Sequence, residues 1–271
     1  DFHVLVASPR LAVDLLETAL AIDPELTGMF RGQFVGPHSG DASMSVADAL
    51  AMHGDLNRDL QLSRLTPLEQ RLEDGLALRD GQIHRIPVLF QKPLVLVPGL
   101  LGKIVRGVVH RVSPLTPNMV NSLVTGHHVI VPRPMGPRMS RERVPELLDR
   151  MRVPALDDGV LKTLAEHRHW AVAPATVANL SKAFGVDQGT LVVANPADTF
   201  EGARVPDRWT PVRIPGDKVD VLEAYVVSVL SSLGLRTHFV DTWTPYHVFQ
   251  GTMHCATNVK RTPPDLGRTG P

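Results

Sequence analysis

Residues 218–240 read K-V-D-V-L-E-A-Y-V-V-S-V-L-S-S-L-G-L-R-T-H-F-V. Val219, Leu222, Val226, Val229, Leu230 and Leu233 fall on one stripe at helical spacing, which predicts an amphipathic helix over 218–233. Gly234 is its expected stop. Residues 236–240 then read as a strand, 241–250 as a loop and 253–259 as a second strand, with Cys255 inside it. Further back, 119–124 and 129–131 read as two strands joined by a Thr125-Gly126 turn, and Pro132, Pro134 and Pro137 stop the second. Two strands, a helix and further strands place the chain in the α/β class.

The same alternation opens the sequence. Residues 2–7 form a short apolar run with β-branched residues, the pattern of a buried strand. Ser8-Pro9 is a helix start, with Ser as N-cap and Pro at the first helical position. Leu11, Leu15, Thr18 and Ile22 continue at helical spacing until Asp23-Pro24. Residues 28–40 are loop-like. Residues 45–78 are mostly helical with a break near Thr66-Pro67, and their alternating acids and arginines (Asp48, Asp55, Asp59, Glu69 and Glu73 with Arg58, Arg64 and Arg71) read as a solvated face. Residues 83–90 form a strand. From 138 to 216 the composition shifts to clustered charge and recurrent proline, which marks an insertion or cap. Helical spacing over 160–164 and 177–184 predicts that it is mostly helical.

Composition narrows the function. Lys plus Arg equals Asp plus Glu at 28 each, which argues against a general nucleic-acid binder, since that needs a positive balance. Hydrophobic residues make up 43% of the 271, enough for a sizeable core. No apolar run is long enough to cross a bilayer, and the longest candidate, 93–101, is broken by Pro98-Gly99. The first residue is Asp1 rather than Met, so a native start is expected to lie upstream. The single Cys cannot form an internal disulfide or, alone, a Cys-based zinc site.

Cys255 therefore raises a question of chemistry. In an extended 253–259, Met253, Cys255 and Thr257 point one way and His254, Ala256 and Asn258 the other. His254 is adjacent in sequence but badly placed as the base for Cys255, so it reads as a packing or hydrogen-bonding residue, and Asn258 as a partner for nearby backbone. A nucleophilic thiolate needs a cationic neighbour or another group from elsewhere in the fold. A lone Cys in an apolar strand is more often structural. Asn118 and Asn121, three apart, fall on opposite faces of a regular strand. His127-His128 is a turn pair with no third ligand in view, and 167–170, H-R-H-W, reads as a surface patch.

Residues 244–261, T-P-Y-H-V-F-Q-G-T-M-H-C-A-T-N-V-K-R, change that balance. They resemble the C-terminal motif of the protein-arginine deiminases, an H-C-G-T-N-x-x-R segment whose Cys is the nucleophile. Four more segments resemble the family in its own order. Val4-Leu-Val-Ala-Ser-Pro-Arg10 is similar to L-L-A-S-P-R. Asn57-Arg-Asp-Leu60 with Ile86-Pro-Val-Leu-Phe90 is similar to W-N-R-E-L and I-P-x-L-F. Thr116-Pro-Asn-Met-Val-Asn121 is similar to F-P-N-M-V-N, and Val131-Pro-Arg-Pro-Met-Gly-Pro137 to I-P-K-P-F-G-P. The likeness covers 1–137 and about 217–263.

The resemblance implies a partial α/β propeller of pentein-type ββαβ modules. It implies a hydrolase that converts peptidyl arginine to citrulline through a covalent Cys255 thiouronium, with calcium as cofactor and a protein or peptide arginine as partner. Phe249, Asn118, Asn121 and Thr257 fall at substrate-binding positions, with His254 and Asn258 in support, and a cytoplasmic setting is expected. Three departures qualify it. No H-x-D-E segment occurs in 1–271, so the acid–base His, the guanidinium-binding carboxylates and the calcium ligands are expected upstream of Asp1. The chain is then the C-terminal part of one catalytic domain, inactive alone. Ala256 replaces the family's Gly, and Phe249 replaces an Arg that contacts substrate backbone in animal members. A small-guanidine deiminase, acting on free arginine or agmatine, and a non-catalytic binding domain remain the alternatives.

Overall fold

β1 (Val4–Ser8) runs directly into α1 (Pro9–Ile22), and the junction is local chemistry. Ser8 is extended, its Oγ accepts from the Leu11 N–H, and Pro9 takes the first helical position, where its missing N–H costs nothing. The computed structural model describes residues 2–31, 33, 42–92, 112–171, 192–193, 210–214 and 216–243. Cys255, His254, Thr257, Asn258 and Phe249 lie outside the described residues, as do the strand expected over 253–259 and the helix over 177–184.

α1 buries Ala12, Val13, Leu15, Leu16, Ala19 and Ile22 and ends at Asp23, whose N–H donates to the Ala19 carbonyl. α2 (Val46–Leu60) starts at a Ser45 cap and is followed by α3 (Thr66–Leu76). The break expected near Thr66-Pro67 is instead a π-helical turn, Gln61–Leu65, with the Thr66 N–H reaching back to Gln61 O. Pro67 has no N–H to give to the carbonyl four residues earlier, and a widened turn absorbs the defect without ending the helix. The charged face of this helical run is mostly solvated, as expected, except that Glu69 is buried and pairs with Arg85 at 2.6 Å.

β2 (Ile83–Pro87) lies parallel to β1, Val4 opposite Ile83. The strand expected over 83–90 stops there and resumes as β3 (Phe90–Gln91), antiparallel to β4 (Ser113–Pro114). β5 (Leu123–Thr125) and β6 (His128–Pro132) form the expected hairpin, but the turn falls at Gly126-His127, with Gly126 at φ 56. Residues 119–122 are not strand. The Asn121 N–H donates to Asn118 O at 3.1 Å, and Asn118 Oδ1 accepts from the Val120 N–H at 3.2 Å. The two asparagines thus share one Asx-type turn instead of opposing strand faces.

β7 (Arg138–Ser140), α4 (Val144–Arg150) and α5 (Asp158–Ala165) follow. Next come β8 (His167–Ala171), β9 (Val192–Val193) and β10 (Thr210–Ile214), in the order β8-β10-β9. Among the described residues 138–216 is therefore mixed and not mostly helical. Its helices run only seven and eight residues, and β-branched Val192, Val193, Thr210, Val212 and Ile214 suit strands. The H-R-H-W segment is part of β8. β11 (Lys218–Asp220) pairs antiparallel with β7, then come α6 (Val221–Ser232) and β12 (Arg236–Val240), the last parallel to β6 in a sheet ordered β12-β6-β5.

α6 differs from its prediction. Every residue from Val221 to Leu230 is buried, so it is a central helix, not an amphipathic one, and 218–220 is strand. α1, α4, α5, β2 and β12 all pack on it, which leaves Val221–Leu230 no solvent face. The architecture is α/β. The described residues form five small sheets of two or three strands and trace no closed propeller. No helix among them is long and apolar enough to cross a membrane.

Candidate functional site

In α/β sheets ligands gather beyond the carboxyl ends of the parallel strands. Here β6 ends at Pro132 and β12 at Val240. Two loops leave these ends: 133–137, R-P-M-G-P, and 241–243, D-T-W, from which the chain passes into the Cys255 segment. The Arg133 N–H donates to Val240 O at 2.8 Å and ties the loops together at their roots.

Two strained residues brace the first loop. Met135 and Phe30 have φ of 56° and 57°, values that non-glycine residues rarely take and that concentrate at functional sites. The Phe30 N–H donates to Met135 O at 2.9 Å, and the Phe30 ring packs on Trp243 with centroids 5.0 Å apart. One residue therefore holds both loops.

The second brace is electrostatic. The Gly136 N–H donates to Asp220 Oδ2 at 2.6 Å, while Asp220 Oδ1 caps α6 through the Leu222 and Glu223 N–H groups at 2.9 and 3.2 Å. A Cβ on Gly136 would lie 2.5 Å from Asp220 Oδ1, so only glycine allows this approach. Arg133 Nη1 donates to Glu223 Oε1 at 2.8 Å, and its guanidinium sits 5.8 Å from the centre of the Phe239 ring. Arg138 donates to the carbonyls of Ala165 and Lys218.

Burial raises the pKa of Asp220 to about 7, with Glu223 beside it adding to the effect, and burial also raises Glu223. Burial likewise raises Asp241 against the donation from its own Trp243 N–H, and lowers Arg138. The two carboxylates and two guanidiniums bind one another and the backbone. Their role is positional: they fix the 133–137 loop.

Asn118 and Asn121 are half-buried and brought together in their turn. Phe30, Asp220, Glu223 and Trp243 were not singled out in the sequence. For Asp220 and Glu223 a signal existed: Asp and, three residues on, Glu before an apolar run is the pattern of a capped helix start.

The sequence model of the protein-arginine deiminase family matches residues 1–151 and 203–266. The chain belongs to the protein-arginine deiminase family. Protein-arginine deiminase type-3 of Rattus norvegicus is 52% identical over 42 residues, and type-1 and type-4 of Homo sapiens are 50% and 45% identical over the same length. Those 42 residues are 16% of this chain and 6% of each relative. The family match takes in both ends of 138–216, leaving 152–202 outside it.

Proposed function

We propose that this protein is a deiminase that hydrolyses peptidyl arginine to citrulline and ammonia, with Cys255 as nucleophile. The observation that carries the proposal is the family match over 203–266, which includes Cys255 in its H-C-A-T-N context. The Cys255 thiolate adds to the guanidinium carbon and forms a C–S bond. The tetrahedral adduct loses ammonia as a C–N bond breaks, the leaving nitrogen taking a proton from a general acid. Water, deprotonated by the same group, adds to the thiouronium carbon, and C–S cleavage returns the thiolate and releases citrulline. The substrate's positive charge favours the thiolate. No H-x-D-E segment occurs in 1–271, so the acid–base role is assigned to no residue of this chain.

The braced loops support this chemistry by fixing where the Cys255 segment begins: Trp243 packs on Phe30 and the R-P-M-G-P loop is locked from below. Asn118 and Asn121 are proposed to line the substrate side, with Phe249 and Thr257, and His254 and Asn258 to support the strand. The finer fold we propose is the α/β propeller of guanidino-modifying enzymes, supported by the parallel strand pairs β1·β2 and β6·β12. Calcium needs about six to eight oxygen ligands. Among the described residues no group of three or more His, Cys, Asp or Glu is placed to hold a metal ion, so none is assigned to calcium and no step runs through it.

The test is citrulline formation by the full-length protein on a blocked peptidyl arginine and on free arginine. Turnover of the peptide, lost in Cys255→Ala with an unchanged circular dichroism spectrum, is expected. Turnover of free arginine alone gives the small-guanidine reaction instead, and activity retained in Cys255→Ala removes the mechanism.

A further inference from the structure

His3 and His84 meet across β1 and β2, Nδ1 of the first 2.9 Å from Nε2 of the second. His128 and His238 meet across β6 and β12 through the same two atoms at the same 2.9 Å. The pairs are built alike. In the parallel register His128 stands opposite Arg236, and His238 is two residues further on. Extended by one residue, the β1·β2 register puts His3 opposite Gln82, and His84 is again two further on. Residues two apart share a strand face, so each pair is a diagonal on one face at the amino end of a parallel ladder. Ring centroids are 5.1 Å apart in both, with interplanar angles of 39° and 33°. The sequence repeats too: His3-Val-Leu-Val6 and His128-Val-Ile-Val131 each lead into a strand whose parallel partner carries the second His.

We propose that each pair is a two-nitrogen site for a divalent transition metal of the nickel or copper kind. Two imidazole nitrogens bound at about 2.0–2.1 Å and subtending a right angle lie about 2.9 Å apart. A tetrahedral zinc angle would need about 3.3 Å, so the spacing suits octahedral or square-planar ions. The metal takes the place of the hydrogen bond that otherwise joins each pair. Among the described residues no third His, Cys, Asp or Glu joins either pair, and the remaining positions fall to water. The His128–His238 pair lies at the end of β6 and β12 opposite loops 133–137 and 241–243, and neither pair includes Cys255.

Calorimetric titration of the full-length protein with nickel(II) chloride tests this. His3→Gln and His128→Gln are each expected to bind one equivalent less than wild type, and the double variant two less. His84→Gln and His238→Gln must reproduce these losses from the other side of each pair. Nickel held elsewhere on the chain is common to all variants and cancels. A double variant that binds as much nickel as wild type overturns the assignment, as does an equal loss from His53→Gln in α2.

Discussion

Asn57 is fully buried, and its amide group is spent on backbone. Nδ2 donates to His53 O at 2.7 Å and to Phe90 O at 2.9 Å, while Oδ1 accepts from the Phe90 N–H at 2.8 Å. The side chain behaves as a strand partner for Phe90 and fastens α2 to β3. Asn57→Ala would strand the Phe90 N–H and C=O without partners, each at about 1–3 kcal/mol. We expect a loss of roughly 2–4 kcal/mol, read as a lower urea midpoint at unchanged slope. Asn57→Asp should also destabilise, because a carboxylate cannot donate to Phe90 O. The sequence showed Asn57 only as part of a family-like segment. Its partner lies 33 residues on, and helical periodicity carries no information at that distance. Ser8 is the opposite case: its cap, its proline and its helix are adjacent, so the junction was readable directly.

At the scale of elements, α6 concentrates what periodicity missed. Its apolar stripe was visible, yet Val221, Tyr225 and Val227 off the stripe already marked a helix buried all round. The strand before it was not visible, because β11 finds its partner β7 about 80 positions earlier and neither is long enough to show alternation. Asp220, which joins the two, gives a pH prediction. Its pKa rises from 3.8 to about 7 in the folded chain. The folded state therefore holds the proton more tightly than the unfolded state. The stabilisation is fully present below about pH 4 and is lost as pH rises towards 7, amounting to on the order of 4 kcal/mol. Asp220→Asn removes the titration. It should flatten stability against pH between those limits, whatever its cost at a single pH from the lost Gly136 bond. A slope equal to wild type in denaturant titrations at several pH values would show that Asp220 is ionised throughout.

For the molecule as a whole, the α/β class and the order of the main strands and helices were legible because each rests on a local pattern. The limits of the 138–216 segment were not, since a shift of composition marks surface chemistry and not packing. Its first part belongs to the core. Leu161 and Ala165 are buried, Ser228 Oγ donates to Pro154 O, and Arg138 Nη2 donates to Ala165 O at 2.8 Å. Its later part is bounded differently: Ala171 and Thr210 are register partners in the antiparallel pair β8·β10. Two excisions should therefore behave differently. Replacing 174–207 by a short Asn-Gly hairpin turn removes β9 and its two-residue pairing with β10 but joins β8 and β10, which are already paired. It should leave cooperative unfolding in place with a melting temperature lowered by only a few degrees, which is about 1 kcal/mol for a chain of this size. Replacing 153–166 by a linker of equal flexibility removes two core side chains and the acceptor of a buried guanidinium. Removing one acceptor of a buried charged donor costs about 1–3 kcal/mol, and the Leu161 cavity adds about 2–5. Losses of that sum are comparable to the whole stability of a domain, so this variant should lose its cooperative transition in calorimetry. If instead it melts as wild type while the first does not, the boundary between core and insertion lies before residue 153.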